Sequence, residues 1–257
     1  IAAGEILVLA TRFEGQNLQS LAKGTSSAKA VTVSFYAKGT AKKYMCELTD
    51  QDNTRSIRQQ FTVSSSWQRF SIVFPGDTTG AFDDDNALSS ILGFWLHAGS
   101  TYSGGSYTAN TWASTVTNTR ASGIDSFFSS TDNELFITGL QMEIGDVATA
   151  FEHRSFGEEL QLCKRYFQVH DDMQLRGNPD GGFERIEIYC PLGVSMRANP
   201  SRVVITEGNS TNIRSSTTTY SGFILANRTA GCTLSLESNS AGLASFDNRT
   251  EALDAEL

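Results

Sequence analysis

The chain has 257 residues, enough for one large β domain or two smaller ones. Its 28 acidic residues outnumber 20 basic ones, and no basic stripe appears, so the electrostatic footprint of a nucleic-acid binder is missing and an anionic membrane surface would repel it. Charged residues are only 19% against 10% aromatics, with Ser, Thr, Asn and Gly filling the spaces between apolar runs, which describes a turn-rich all-β protein with a substantial core. No apolar run approaches the length of a membrane span, so no membrane insertion is expected.

The chain opens IAAGEIL, with neither Met nor a signal-peptide pattern, and is read as the C-terminal portion of a longer polypeptide. EILVLATRF supplies a first strand. In AVTVSFYAKG, Val31, Val33, Phe35 and Ala37 share one face while Thr32, Ser34, Tyr36 and Lys38 share the other. KKYMCELTD sets Tyr44, Cys46 and Leu48 against Lys43, Met45 and Glu47. WQRFSIVFPG puts Phe70, Ile72 and Phe74 together. ILGFWLHAGS places Leu92, Phe94 and Leu96 opposite Trp95 and His97, and LFITGLQMEIG sets Phe136, Leu140, Met142 and Ile144 against Ile137, Gln141 and Glu143. Each reads as a half-buried strand with one face toward solvent. Turns such as TDQDNT separate them, and a loop from Thr101 to about Asn133 is long enough to imply a function or a partner. Six or more such strands predict an antiparallel jelly-roll β-sandwich over residues 1–152.

AFEHRSFGEELQLCKRYFQ (150–168) breaks this pattern. Ser155 followed by Glu158 makes a capping box, and Phe156, Leu160, Cys163 and Phe167 recur at helical spacing. A short connecting helix is therefore expected within residues 153–168. RYFQV, RIEIYCPLGVSM, SRVVITEG, YSGFILAN, CTLSLES and LASFDNRTEALDAEL then predict a smaller β domain over residues 169–257, with GNPDGG as a hairpin turn.

His153, Glu158, Glu159 and Cys163 gather on that helix, but adjacent carboxylates point about 100° apart and Glu158 is already used as a cap. The cluster reads as architecture, and no enzyme is expected. Cys46, Cys163, Cys190 and Cys232 form no CxxC pair and read as buried free thiols. The sequons at Asn209, Asn227 and Asn248 would matter only in a eukaryotic secreted protein. The loop FDDDN offers hard oxygen ligands, with Asp83 and Asp85 as weak calcium candidates. It lacks the spacing of a calcium loop and reads as a solvated turn, so no cofactor is expected.

The aromatic residues point elsewhere. Trp95 lies on the strand face opposite the core residues, accompanied by His97, and Tyr36 and Arg69 are placed on the polar face of neighbouring strands. An exposed indole among hydrogen-bonding side chains holds a sugar ring by stacking on its apolar face and bonding its hydroxyls. Packing of Trp95 under the 101–133 loop is the competing reading. Tyr107 and Trp112 sit in GSTYSGGSYTANTWAS, whose composition suits an adaptable contact surface or a buried subunit interface.

WQRFSIVFPGDTTGAFDDDNALSSILGFWLHAGSTY and LFITGLQMEIGDVATAFEHRSFGEELQLCKRYFQ resemble a module widespread in tailed-bacteriophage virion proteins, typically tail fibres and related appendages. The resemblance spans about residues 5–170, and GVSMRANPSRVVIT is similar to the shorter β segment that follows that module. The N-terminal half also resembles carbohydrate-binding jelly-roll modules. The resemblance implies a homotrimeric fibre or another virion component on the particle's exterior, contacting other virion proteins and a host surface polysaccharide. It carries no catalytic motif onto this chain. A purely structural virion role, as a head decoration or tail-attachment component, is the alternative.

Overall fold

Alternating apolar residues in the first half of the chain form two antiparallel sheets that face each other. The computed structural model describes residues 2–177, 185–198, 201–206, 209–211, 213–219, 229–238 and 244–255, with side chains described through residue 169, for 192–198 and for 254–255. It divides into two units, Ile1–His153 and Arg154–Glu256.

The first unit contains β1 (Ile6–Glu14), β2 (Val31–Gly39), β3 (Lys42–Asp50), β4 (Arg55–Val63), β5 (Gln68–Phe74), β6 (Leu88–Ala98), the short helix α1 (Ser100–Ser103), β7 (Ala113–Ser114) and β8 (Leu135–Ile144). The larger sheet runs β1-β6-β3-β4-β7 and the smaller β5-β2-β8. Val33, Phe35, Ala37 and Phe74 of the smaller sheet meet Tyr44, Cys46, Leu48, Ile57, Leu92 and Phe94 of the larger in one core. Phe35 sits at its centre, edge-on to Phe61 and Phe94 and stacked on Phe70, with centroids 5.1, 4.9 and 5.2 Å away. Such ring pairs each add about 0.5–1.5 kcal/mol beyond their area burial. The all-β expectation holds, and the architecture is sandwich-like.

The expectation that each strand turns one face to solvent fails on the larger sheet. Met45 and Glu47 of β3, and Trp95 and His97 of β6, point away from the sandwich core yet are buried. Residues 99–126 lie over them. Met45, Trp95 and Ala121 form a second apolar cluster, packed against Tyr102, Tyr107 and Ile124. The cover is tied to the sheet by Asp125 N–H to the Lys43 carbonyl (2.8 Å) and by Gln60 Nε2 to the Ser122 carbonyl (2.8 Å). The long loop therefore closes an outer layer. On the smaller sheet the outer face is open at Tyr36 and Phe136 but closed at Thr32 and Ser34.

Tyr44 is fully buried, and its hydroxyl has no hydrogen-bond partner among the described residues. Burial, and then the charge of Asp125, push its pKa up to about 12. An unsatisfied buried hydroxyl costs about 1–3 kcal/mol. Tyr44→Phe is accordingly expected to raise stability by roughly 1 kcal/mol, read as a higher denaturant midpoint with unchanged slope.

The second unit contains α2 (Phe156–Lys164), β9 (Phe167–Gly177), β10 (Arg185–Met196), β11 (Ser201–Thr206), β12 (Asn209–Thr211), β13 (Ile213–Thr219), β14 (Thr229–Ser238) and β15 (Ala244–Asp254). One sheet runs β10-β14-β13, and another β11-β15-β12 with β9 also on β15. The predicted YSGFILAN strand and, beyond Gly177, the GNPDGG turn lie outside the described residues. The strands flanking that turn pair elsewhere, β9 with β15 and β10 with β14.

The capping box forms as expected. Ser155 Oγ accepts from Glu158 N–H, and Glu158 Oε2 accepts from Ser155 N–H at 3.0 Å. Helix α2 groups with the second unit rather than standing apart. Its apolar side is not buried in the single chain: Phe156 is 82% exposed and Leu160 37%. Cys46 is buried, but Cys163 is exposed, contrary to the expectation of a buried thiol. The same expectation for Cys190 and Cys232 falls on side chains outside those described; along the backbone the two are register partners on β10 and β14.

Candidate functional site

The outer face of the larger sheet and the segment that covers it enclose a cleft of about 320 Å³. Ser56 and Arg58 of β4 form its floor. Ser106, Tyr107, Thr108 and Thr111 of the covering segment, with Ser114 of β7 and Thr119, form its walls. Strand alternation places Ser56 and Arg58 on this face, because Ile57 between them enters the core. Hydroxyls and one tyrosine ring thus surround a guanidinium.

Arg58 is buried, 4% exposed. Its Nη1 donates to Thr119 Oγ1 (2.8 Å) and its Nη2 to Ser56 Oγ. The Tyr107 ring centroid lies 5.9 Å from the guanidinium carbon. Burial is the main cause holding the Arg58 pKa below its ordinary value; the negative charge of Glu47 opposes it and the positive charge of Arg120 adds to it. The Tyr107 pKa is raised, chiefly by burial, against the opposing effects of Arg58 and of a backbone hydrogen bond with Gln60. That bond fixes the phenol and leaves the ring as a wall of the cleft.

Below the cleft, Glu47 organises the layer. Its Oε2 accepts from Trp95 Nε1 (2.9 Å) and from Arg120 Nε (3.0 Å) and Nη2 (2.7 Å). Its Oε1 lies 3.4 Å from Arg58 Nη2 without forming a hydrogen bond. Arg120 stacks over the Trp95 ring at 4.8 Å.

The candidates expected on a polar sheet face (Trp95, His97, Tyr36 and Arg69) and in the loop (Tyr107 and Trp112) lie in distinct places. Trp95 is 3% exposed and serves as a buried support under the loop, not as a stacking platform. Its orientation away from the sandwich core is as read, and it packs under the covering segment, as the competing reading had it. His97 is wholly buried, with Nδ1 2.8 Å from Ser126 Oγ and its ring against Phe128. Trp112 is half-buried, donating from Nε1 to the Pro75 carbonyl (2.7 Å) and lying 5.5 Å from Lys23 Nζ. Tyr36 and Arg69 come together, 5.9 Å apart, but on the smaller sheet rather than beside Trp95. Arg69 there donates to the Thr149 carbonyl, which fixes the segment after β8. Of the six candidates, Tyr107 alone lines the cleft.

Asp83 and Asp85 occupy an exposed turn. Asp85 accepts from Ala87 N–H (2.9 Å), the local bond of a turn-forming aspartate. Among the described residues no group of three or more His, Cys, Asp or Glu could hold a metal ion. The helix cluster does not assemble: Glu158 caps, exposed Glu159 pairs with Arg154 at 3.4 Å, and His153 packs on Phe151. No helix among the described residues is long and apolar enough to cross a membrane.

Sequence reasoning passed over Arg58, Glu47 and Arg120. A hint stood in RSIRQQFTV, where an arginine sits between Ile57 and Phe61 in a strand-length run. No family model matches the chain, and no curated protein matches it.

Proposed function

We propose that this chain is a non-catalytic virion appendage module, of tail-fibre type, that binds a host cell-surface glycan in the cleft between β4 and the covering segment. One observation carries the reading: a concave site of about 320 Å³ whose lining combines hydroxyls, a guanidinium and a tyrosine ring. That volume falls in the range of small-ligand sites, and a sugar unit offers an apolar face for the ring and hydroxyls for the polar groups. The phage resemblance of the sequence supports the setting, and a jelly-roll scaffold and exposure on the particle's exterior are part of the same reading.

The experiment is binding of the purified chain to bacterial cells and to their extracted surface polysaccharides. Tyr107→Ala is expected to weaken saturable binding by roughly tenfold or more while leaving the fold intact, since Tyr107 is only half-buried. Trp95→Ala is the wrong probe, because it removes a buried support.

A second reading is a structural virion protein that joins other subunits, as a homotrimer or against a different virion protein. The exposed apolar residues favour it: Phe156, Val147 at 70%, and Leu162 face solvent in the single chain. Failure of the folded, assembled chain to bind any host polysaccharide would select this second reading.

A further inference from the structure

We infer that the cleft selects a sugar bearing an anionic substituent, carboxylate or phosphate, with Arg58 as the selecting group. This deepens the glycan reading and rests on it. Two guanidiniums, Arg58 and Arg120, share one buried carboxylate, that of Glu47, so the layer beneath the cleft carries one excess positive charge. The division is unequal. Glu47 Oε2 is taken up by three donors from Trp95 and Arg120, whereas Arg58 meets only Oε1, at 3.4 Å and without a hydrogen bond.

The hydrogen bonds of Arg58 go to Ser56 and Thr119, both lining the cleft. Thr119 Oγ1 in turn donates to the Val116 carbonyl at 2.9 Å. Neutral hydroxyls orient the guanidinium but cannot neutralise it. The charge is therefore incompletely balanced and faces the cleft, in a protein whose net charge of −8 gives no general attraction for anions. A neutral sugar would leave that charge as it is; an anionic one would form a charge-assisted contact, shorter and about twice as strong as a neutral hydrogen bond.

The test is calorimetric titration of the full chain with three probes at millimolar concentration: a glucuronate oligosaccharide, its carboxyl-reduced glucose counterpart, and a phosphate-substituted glucose oligosaccharide. At least one anionic probe is expected to bind ten or more times as tightly as the neutral one, roughly the effect of one charge-assisted bond. The preference is expected to vanish in Arg58→Met. Thr111→Trp, an exposed rim position that needs no refolding, is expected to fill the cleft and abolish binding of every probe. The comparison between the two anionic probes distinguishes carboxylate from phosphate. Equal affinity for neutral and anionic probes, lost in Thr111→Trp, would overturn the anion selection and leave the glycan site standing. An anionic preference that survives Thr111→Trp would place the charge elsewhere and overturn it as well. Absence of binding to all three probes by a chain that binds host polysaccharide would overturn the anion selection alone; absence of both would overturn the glycan reading with it.

Discussion

Lys23→Met is expected to destabilise the first unit by about 3–5 kcal/mol, the usual cost of removing one partner from a buried ion pair. Lys23 Nζ lies 2.5 Å from Asp50 Oδ2 and 3.2 Å from Asp77 Oδ2, with all three side chains no more than 4% exposed. It also donates to the carbonyls of Thr79 (2.8 Å) and Gly80 (2.7 Å) and sits 5.2 Å from the Phe82 ring. Arg55 supports Asp77 from the other side. Methionine fills the volume but returns none of these bonds, leaving Asp50 without a cation at its Oδ2. The three tryptophans, Trp67, Trp95 and Trp112, all belong to the first unit, so indole fluorescence reports its unfolding selectively. The midpoint is expected to fall by about 10 °C for a unit of this size.

The sign of the pH dependence follows from Asp77. Burial would raise its pKa, but the hydrogen bonds from Arg55 and from Thr79 N–H, with the charge and bond of Lys23, outweigh burial and hold it below the ordinary carboxylate value. A carboxyl depressed on folding contributes stability above its unfolded pKa, near 4, and loses it as pH falls through the lower folded value. Wild-type stability is therefore expected to decline only well into acid. In Lys23→Met, Asp77 keeps Arg55 but loses the charge and bond of Lys23, so it is protonated at higher pH than in the wild type. The gap between the two proteins should be widest near neutrality and narrow below about pH 4. A gap that stays constant over this range would mean that the variant fails through packing rather than charge.

Local patterns were legible, and what covers them was not. The alternation of Val33, Phe35 and Ala37 specified β2, and the Ser155–Glu158 spacing specified the start of α2, because each signal lies within a few residues. The orientation of Trp95 was legible for the same reason. Its burial under the 101–133 loop was legible as one of two readings but not decided, since Ala121 and Tyr102 reach it from a loop that has no periodicity of its own. Strand β4 escaped notice because Gln59 breaks the apolar alternation between Ile57 and Phe61, and its outer residues Arg58 and Gln60 bond to the cover instead of facing solvent. The cleft depended on partners far apart in the chain: Glu47 and Arg120 are separated by 73 residues. Opposite charges at that distance in sequence carry no signal of pairing.

Glu47→Gln is expected to destabilise the first unit by about 3–5 kcal/mol, although it preserves the side chain's shape. Glutamine keeps one acceptor oxygen, yet Arg58 and Arg120 then lie near each other with no counter-charge. Two effects should follow together. Trp95 and Arg120 are left with a neutral acceptor in place of the carboxylate, so the bonds that tie the segment over Trp95 to β3 weaken. Indole emission should shift to the red, and proteolysis within residues 101–126 should accelerate before global unfolding. A second substitution separates charge from hydrogen bonding. Arg120→Gln added to Glu47→Gln removes one of two like charges, so the double variant is expected to be more stable than the sum of the single effects allows, by roughly 1–3 kcal/mol. Additive losses would show that the glutamate acts on each partner independently, and the buried excess of positive charge on which the cleft's anion selection rests would lose its support.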